Sequence, residues 1–444
     1  MKPLSIYPWD LRSWKVAFGQ AGISGFAMMA LLVAGFAQLP DSSGQPAAHA
    51  SQATLWLIRG PLVLTSALLI SFVPRFSRIG IRDLRFWFLL FTVYFTVSTV
   101  WSYSPVTTLG KGFELAAGLL IVMQASRDEK AEERLTGLFR LILLLVSAMA
   151  TVTVVGFLFG MHSFVSPQPN LFMSTSAEAP FLSGNGVGYS ASLLILVSFT
   201  EWQFSKVRGA GLKWQVVFAS ILFLFAASRS SFAIILLGLL IVLLRKSKTA
   251  LVTVTCFLGL GGYLFGKALV KALSFRQSES TLQTLSGRTV MWAAGFRQWT
   301  HSPLIGYGGG AGGKYVLSKI GISSVEVLSS MHSGLMETLD GLGTIGFVLG
   351  VGILIVATFM AYREWRASTQ YIAIWVIVIH FWIASTMSVG VLGWMNAELA
   401  LYLVFLTLLD VQRRKRVRAR VRYGVMSSPV PQFAWSRTSI GRLR

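Results

Sequence analysis

Long apolar runs constrain this chain more than any other feature of its sequence. Runs of roughly 17–25 apolar residues match the ~30 Å hydrocarbon layer of a bilayer. A backbone in lipid must satisfy its own hydrogen bonds, so we expect these runs to be helices rather than open strands. Composition agrees, because 54% of the 444 residues are hydrophobic and only 13% are charged, whereas about 25% are charged in a typical soluble domain. The sequence predicts an all-α polytopic membrane protein.

About twelve candidate spans can be placed along the chain. Spans seven and eight are short and meet at a tight turn over 228–231. They could form one interrupted segment, although a helix of about thirty residues fits the bilayer less well. The first apolar run is too long for a cleaved signal peptide, which predicts an uncleaved span. The spans cover residues 16–38, 55–73, 86–101, 108–125, 138–160, 184–203, 214–228, 231–244, 250–271, 337–361, 371–393 and 395–410.

These spans divide the chain into four parts. Residues 1–271 hold transmembrane helices one to nine, and residues 337–410 hold helices ten to twelve. Between them, residues 272–336 form one large periplasmic loop, far longer than an ordinary connection and therefore expected to be functional. Its apolar side chains favour a small folded cap with a helix over 289–300. Residues 411–444 form a basic tail.

The distribution of lysine and arginine predicts the topology. The outer loops 39–54, 102–107 and 161–183 contain neither residue, whereas the alternate loops are rich in both. This bias places both termini in the cytoplasm. It also explains most of the net charge of +22. The basic run over 413–422 predicts contact with anionic membrane lipids rather than nucleic acid.

Ten of the 39 basic residues fall outside the predicted cytoplasmic loops. The positive-inside rule disfavours cations at such positions, so membrane insertion does not explain their presence. We interpret them as candidates for binding an anion at the outer face. They are Arg59, Lys111, Arg229, Lys267, Lys271, Arg276, Arg288, Arg297, Lys314 and Lys319.

Three sequence motifs lie in or beside the outer loop. The first joins residues 287–292 (GRTVMW) to residues 303–308 (PLIGYG). The second begins at residues 332–337 (HSGLME) and continues to the glycines of the segment 343–346. The third is the SRS sequence of residues 228–230, before the eighth span.

Together these motifs resemble the O-antigen ligase superfamily, which includes O-antigen ligases and related polymerases of O-antigens and exopolysaccharides. The resemblance covers roughly residues 184–350. Two departures are Ser333, where the family usually has Asn, and Gly341, where an acidic residue is common. The glycine motifs lean towards the exopolysaccharide polymerase branch.

The resemblance implies a bacterial inner-membrane glycosyltransferase whose active site faces the periplasm. Such an enzyme transfers a glycan from undecaprenyl pyrophosphate to a hydroxyl of a saccharide or glycolipid acceptor, with inversion and without a metal or cofactor. The sequence contains no Asp-x-Asp pair of the kind that holds a divalent metal. Membrane lipids and proteins of polysaccharide assembly are the other expected partners.

Chemistry supports a functional role for the expected site residues, and three of them also have a purely structural interpretation. Arginine offers a planar fork of donors that suits phosphate oxygens, and histidine can take a proton near neutral pH. Alternatively, Arg288 stacks on Trp292, Arg229 reaches the outer headgroups and His332 caps a helix. The predicted catalytic residues are His332, Arg288 and Arg229, and the predicted substrate-binding residues are Arg297, Gly306, Tyr307, Gly308 and Glu337.

A membrane transporter or flippase of lipid-linked saccharides is the alternative function. Twelve spans with both ends inside are equally usual in that class. Transporters, however, bind near mid-membrane and often contain half-repeats, whereas this sequence shows no internal repeat and its unexplained cations lie at the outer rim. We therefore favour the enzyme.

Overall fold

The structure is a computed structural model whose described part is helical, apart from one pair of two-residue strands. It describes residues 11–36, 52–71, 80–127, 129–161, 164–166, 176–177, 184–204, 210–226, 228–247, 249, 252–256, 259–260, 288–319, 331–367, 372–388, 392 and 395–422. Of the predicted ninth span over 250–271, only the short pieces 252–256 and 259–260 are among these residues. The loop over 272–287 and the tail beyond 422 lie outside them.

The helices follow the apolar runs closely. They are α1 Leu11–Ala21, α2 Ile23–Phe36, α3 Gln52–Ser71, α4 Leu84–Val97 with a 3₁₀ turn Ser98–Trp101, α5 Pro105–Ala125, α6 Ala131–Leu158, α7 Gly184–Phe204, α8 Ala210–Leu224, α9 Arg229–Lys246, α10 Arg288–Trp299, α11 Gly312–Lys319, α12 Gly334–Ala367, α13 Ile372–Met387 and α14 Ala397–Arg422. Strand β1 (Val165–Ser166) pairs antiparallel with β2 (Ser176–Ala177).

Four of these helices are long and apolar enough to cross a membrane. They correspond to Leu84–Trp101, Pro105–Ala125, Ala131–Leu158 and Gly334–Glu364, and the bent pair α1–α2 makes a fifth if it is one span. Shorter apolar helices occur within α8, α9 and α13. The total of twelve spans stays a prediction.

Two element boundaries differ from the sequence prediction. The expected first span over 16–38 is broken at Gly22, whose φ of +59° suits a residue without a Cβ, and the two halves bend by 113°. The last span does not stop at residue 410, because α14 continues as a helix to Arg422. The beginning of the predicted tail is therefore part of the bundle.

Buried aromatic side chains form the centre of the bundle. Phe88, Phe91 and Phe95 recur on one face of α4 and are almost fully buried. The ring of Tyr402 on α14 lies 6.5 Å from that of Phe88 and 5.1 Å from that of Phe381 on α13. Helices α4, α13 and α14 therefore share one core.

A buried ion pair fastens α4 to α14 at one end of that core. The carboxylate of Asp410 accepts the backbone N–H of Leu84 at 3.0 Å and the Nε–H of Arg85 at 3.3 Å. Both charged side chains are almost fully buried. Burial of paired charges is tolerated because each satisfies the other.

Helix α12 contains a kink that positions the cap. Gly343 has a φ of +64° inside this helix, and a Cβ there would collide with the backbone of Leu304. The backbone N–H of Thr344 donates to the carbonyl of Pro303 at 2.8 Å. The Pro-Leu segment of the cap thus packs directly into the kink, which explains why glycine stands at position 343.

Candidate active site

The glycine-rich part of the cap, residues 306–311, is bonded to the helix bundle. The backbone N–H of Tyr307 donates to the carbonyl of Asp340 at 2.9 Å, and that of Gly308 donates to Gly341 at 2.7 Å. The N–H of Gly309 donates to the Ser98 hydroxyl at 2.9 Å. The cap is therefore tied both to α12 and to the turn after α4.

Protein atoms fill the space that the glycines leave. Gly306 and Gly308 have φ values of +64° and +100°. A Cβ at Gly306 would lie 2.5 Å from the Asp340 carbonyl, and one at Gly308 would collide with Ser102. These two glycines therefore let the cap approach the bundle closely, and their predicted contact with substrate stays a prediction.

Tyr307 is also engaged in packing. Its ring stacks on Tyr315 with centroids 4.0 Å apart, and its hydroxyl donates to the carbonyl of Gln298 at 2.9 Å. The ring and the hydroxyl thus join the loop to α10 and α11.

His332 is held in place by two of the motifs. The residue before it, Met331, donates its backbone N–H to Oε1 of Glu337 at 2.6 Å. The carbonyl of Met331 accepts the indole N–H of Trp292 at 3.0 Å. On the other side of His332, the backbone N–H of Gly334 donates to the carbonyl of Ser388 at 2.6 Å. The motif of residues 287–292 and the motif that begins at His332 therefore meet immediately beside His332.

Arg288 lies close enough to His332 to influence its ionisation. Burial, and then the positive charge of Arg288, lower the pKa of His332 below its usual value of 6.5. The imidazole is therefore largely neutral at neutral pH and able to accept a proton. Arg288 Nη1 donates to the sulfur of Met387 at 3.9 Å. A thioether is a weak acceptor, so the Arg288 guanidinium can still donate hydrogen bonds to a stronger acceptor.

Arg229 begins α9 beside a cluster of hydroxyls. Ser228 is the N-cap, and its Oγ accepts the backbone N–H of Ser231 at 3.2 Å. The hydroxyl of Ser230 lies 2.8 Å from that of Tyr189. Arg229 itself is exposed. An exposed cation at a helix N-terminus is a favourable setting for an anion, because the helix dipole is positive there.

Tyr189 links the two arginine-bearing segments. It lies on α7, its hydroxyl bonds to Ser230, and the charges of Glu398 and Arg288 both act on it. The start of α9, the start of α10 and the start of α14 therefore converge at this tyrosine.

Sequence reasoning missed Tyr189 and Glu398. Glu398 carried a usable signal, because an ionisable residue within a predicted span is a functional candidate by default. Tyr189 carried none, since a tyrosine in an apolar run is ordinary.

Arg297 is not brought to the other predicted residues of the site. It lies nine residues after Arg288 on α10, about 13.5 Å further along the axis and half a turn around it. Its side chain is exposed and its Nε–H donates to the carbonyl of Ala293 at 3.4 Å.

Glu337 lies at the site but inside the protein. It is only 3% exposed, and its carboxylate accepts backbone N–H groups of Met331 and Gly313. The charges of Lys111 and Lys314 stabilise it. Within the described ranges, no group of three or more His, Cys, Asp or Glu side chains is placed to hold a metal ion.

A family model described as O-Antigen ligase matches residues 214–351. This part of the chain is similar to the O-antigen ligase family. The match is under a third of the chain, but it includes Arg229, Arg288 and His332, and it confirms the resemblance drawn from the motifs. No curated protein matches the chain.

The matched family comprises membrane enzymes that act as glycosyltransferase-like ligases or polymerases. The apolar helices and this match together indicate a membrane protein.

Proposed function

We propose that this protein transfers a glycan from undecaprenyl pyrophosphate to an acceptor hydroxyl, with inversion, at the periplasmic face of a bacterial inner membrane. The acceptor is a saccharide or glycolipid in surface polysaccharide synthesis. One observation carries the proposal: the indole N–H of Trp292, about one turn after Arg288, donates to the carbonyl of Met331 beside His332 at 3.0 Å. This bond brings the segments of Arg288 and His332 together within the matched region. This reaction requires a cation that stabilises the leaving group and a base that takes the proton from the acceptor hydroxyl.

Arg288 and Arg229 bind the pyrophosphate in this mechanism. As the bond between the anomeric carbon and the phosphate oxygen breaks, its electron pair stays on that oxygen. Guanidinium groups stabilise the developing charge, and the N-terminus of α9 adds its positive dipole. Tyr189 bonds to Ser230 and feels the charge of Arg288, so it lies near both arginine-bearing segments.

His332 acts as the general base. It takes the proton from the acceptor hydroxyl while that oxygen attacks the anomeric carbon from the face opposite the pyrophosphate, which inverts the configuration. A lowered pKa keeps the base unprotonated at neutral pH. Proton transfer of this kind contributes roughly 10²–10⁴-fold to a rate.

The remaining predicted substrate-binding residues receive other roles. We assign Glu337 to positioning His332, because its carboxylate is occupied by backbone hydrogen bonds. Gly306, Tyr307 and Gly308 hold the cap on the bundle. For Arg297, contact with substrate stays a prediction.

Replacement of the proposed base tests the function directly. Purified, reconstituted His332→Ala protein should lose glycan transfer by about 10²–10⁴-fold while remaining in the membrane. His301→Ala is the matched control, because His301 is exposed and, among the described residues, its ring bonds through Nδ1 to the Arg297 carbonyl at 2.9 Å. A near wild-type rate for His332→Ala would show that the base is misassigned. Movement of the lipid-linked saccharide without a new glycosidic bond would instead favour the transporter or flippase.

Deletion of the gene separates the two kinds of transfer. Analysis of the glycans on a gel should reveal single attached repeats if the protein is a polymerase. Accumulation of full-length chains on the carrier lipid would identify a ligase.

A further inference from the structure

A cavity lies far from the candidate active site, near the C-terminal end of α12. Its volume is about 150 Å³, whereas a single water molecule needs only about 10–15 Å³. Met360, Arg363 and Glu364 line it from α12, and Arg413, Arg416 and Val417 line it from α14. Each triplet has the spacing i, i+3, i+4, which puts its members on one helix face.

The charges around the cavity favour an anion. Three guanidinium groups and one carboxylate leave two positive charges in excess. Glu364 pairs with Arg416 and so joins the two helices, and Arg413 donates to the backbone carbonyl of Arg82. Arg363 is exposed, and among the described residues no hydrogen bond or ion pair engages its side chain.

The approach to the cavity is apolar. On α12, just before the cavity, Ile355, Val356 and Phe359 are 41%, 48% and 65% exposed. Phe359 precedes Arg363 by one turn, or about 6 Å of helix. These residues belong to a segment long and apolar enough to cross a membrane. A ligand that uses both surfaces needs an anionic head and a hydrocarbon chain.

We propose that this cavity binds the phosphate headgroup of an anionic phospholipid, whose acyl chains lie along the exposed apolar face of α12. Guanidinium forks match phosphate oxygens, and basic pockets between transmembrane helices suit lipid headgroups of this kind. A soluble phosphate compound would use the charges but leave the apolar approach unused. The site does not depend on the proposed transfer reaction.

Native mass spectrometry of the full chain in detergent tests the proposal. Phosphatidylglycerol is the anionic probe and phosphatidylcholine the zwitterionic one. We expect clear preference for phosphatidylglycerol, and a loss of its affinity of about tenfold or more in the Arg363→Gln/Arg413→Gln variant. Arg363→Gln alone should give part of the loss. It is expected to keep the fold, because this side chain is exposed and makes no hydrogen bond to the described part of the chain.

Lys415→Gln is the matched control. Lys415 lies on α14, two residues from Arg413, but pairs with Glu132 outside the cavity, at 2.5 Å. If this variant weakens phosphatidylglycerol binding as much as Arg363→Gln does, attraction is diffuse and the cavity is not the site. Equal binding of the two lipids would also overturn the proposal. Binding of glycerol phosphate as tight as that of the intact lipid would identify a soluble-anion site instead.

Discussion

His332 has a φ of 50° and, among the described residues, is the one non-glycine residue with a positive φ. A left-handed conformation costs such a residue about 1–3 kcal/mol. The hydrogen bonds from Met331 to Glu337 and from Trp292 to Met331 fix the preceding residue and offset that cost. Backbone strain of this kind persists where surrounding contacts impose it. Here these hydrogen bonds orient the imidazole of His332.

The pH dependence of transfer follows from the pKa of His332. Burial and the charge of Arg288 lower this pKa below 6.5, and the unprotonated imidazole is the active form of a base. We therefore expect kcat/KM to rise with pH through a midpoint below the usual 6.5 and to be level at neutral pH. A steady-state profile of the wild-type enzyme measures this, with His301→Ala as control. A midpoint above the ordinary histidine value would contradict the assignment.

Replacement of Glu337 should affect both stability and rate. Glu337→Ala leaves the buried N–H groups of Met331 and Gly313 without their acceptor, at a cost of about 1–3 kcal/mol each, and it frees the segment that carries His332. Glu337→Gln keeps one acceptor oxygen and should recover part of the activity. Thermal unfolding and kcat/KM measure the two effects, with exposed Glu133→Gln as control. Full activity in Glu337→Ala would rule out a positioning role.

At the level of elements, the kink of α12 and the glycine loop of the cap form one joint. Gly343 makes room for Leu304, and Thr344 donates to Pro303 through both its backbone N–H and its hydroxyl, each at 2.8 Å. The motif of residues 303–308 and the glycines of the segment 343–346 are far apart in the sequence, and they meet in one contact. The joint fixes the position of the Pro-Leu segment against α12.

Adding a methyl group at this joint should displace the cap. Gly343→Ala would place a Cβ against the backbone of Leu304 at a positive φ, so we expect a loss of more than about 1 kcal/mol and a large drop in transfer. Gly352→Ala on the same helix is the control, because nothing lies within 4 Å of its Cβ position and alanine favours a helix. Thermal unfolding and transfer assays compare the two. Equal behaviour would show that the kink does not hold the cap.

At the level of the whole molecule, the site forms at one end of a helix bundle. The first turns of α9, α10 and α14 supply Arg229, Arg288 and Glu398. His332 lies just before α12, and Tyr189 lies on α7. The ion pair between Arg85 and Asp410 joins α4 to α14 far along the same bundle. The proposed catalytic charges and this structural ion pair thus occupy separate ends.

Labelling from outside the cell tests the predicted orientation. In a Cys256→Ser background, Ser318→Cys on α11 should react with a membrane-impermeant maleimide in cells with a permeabilised outer membrane. Tyr362→Cys, near the other end of α12, should react only after the inner membrane is opened. Both positions are exposed in the structure. The reverse pattern would place the cap in the cytosol and remove the basis of the proposed function.

Most helix positions, the cap helix α10 and the candidates His332 and Arg288 could be predicted from the sequence, because apolar periodicity, charge distribution and motif spacing are local properties. The fold was needed to show that Met331 joins Trp292 to Glu337, that Gly306 and Gly308 face protein, that Arg297 lies apart, and that the charges of Arg288 and Glu398 both act on Tyr189. These facts depend on contacts between residues far apart in the chain. No local pattern encodes which side chains fill the same space.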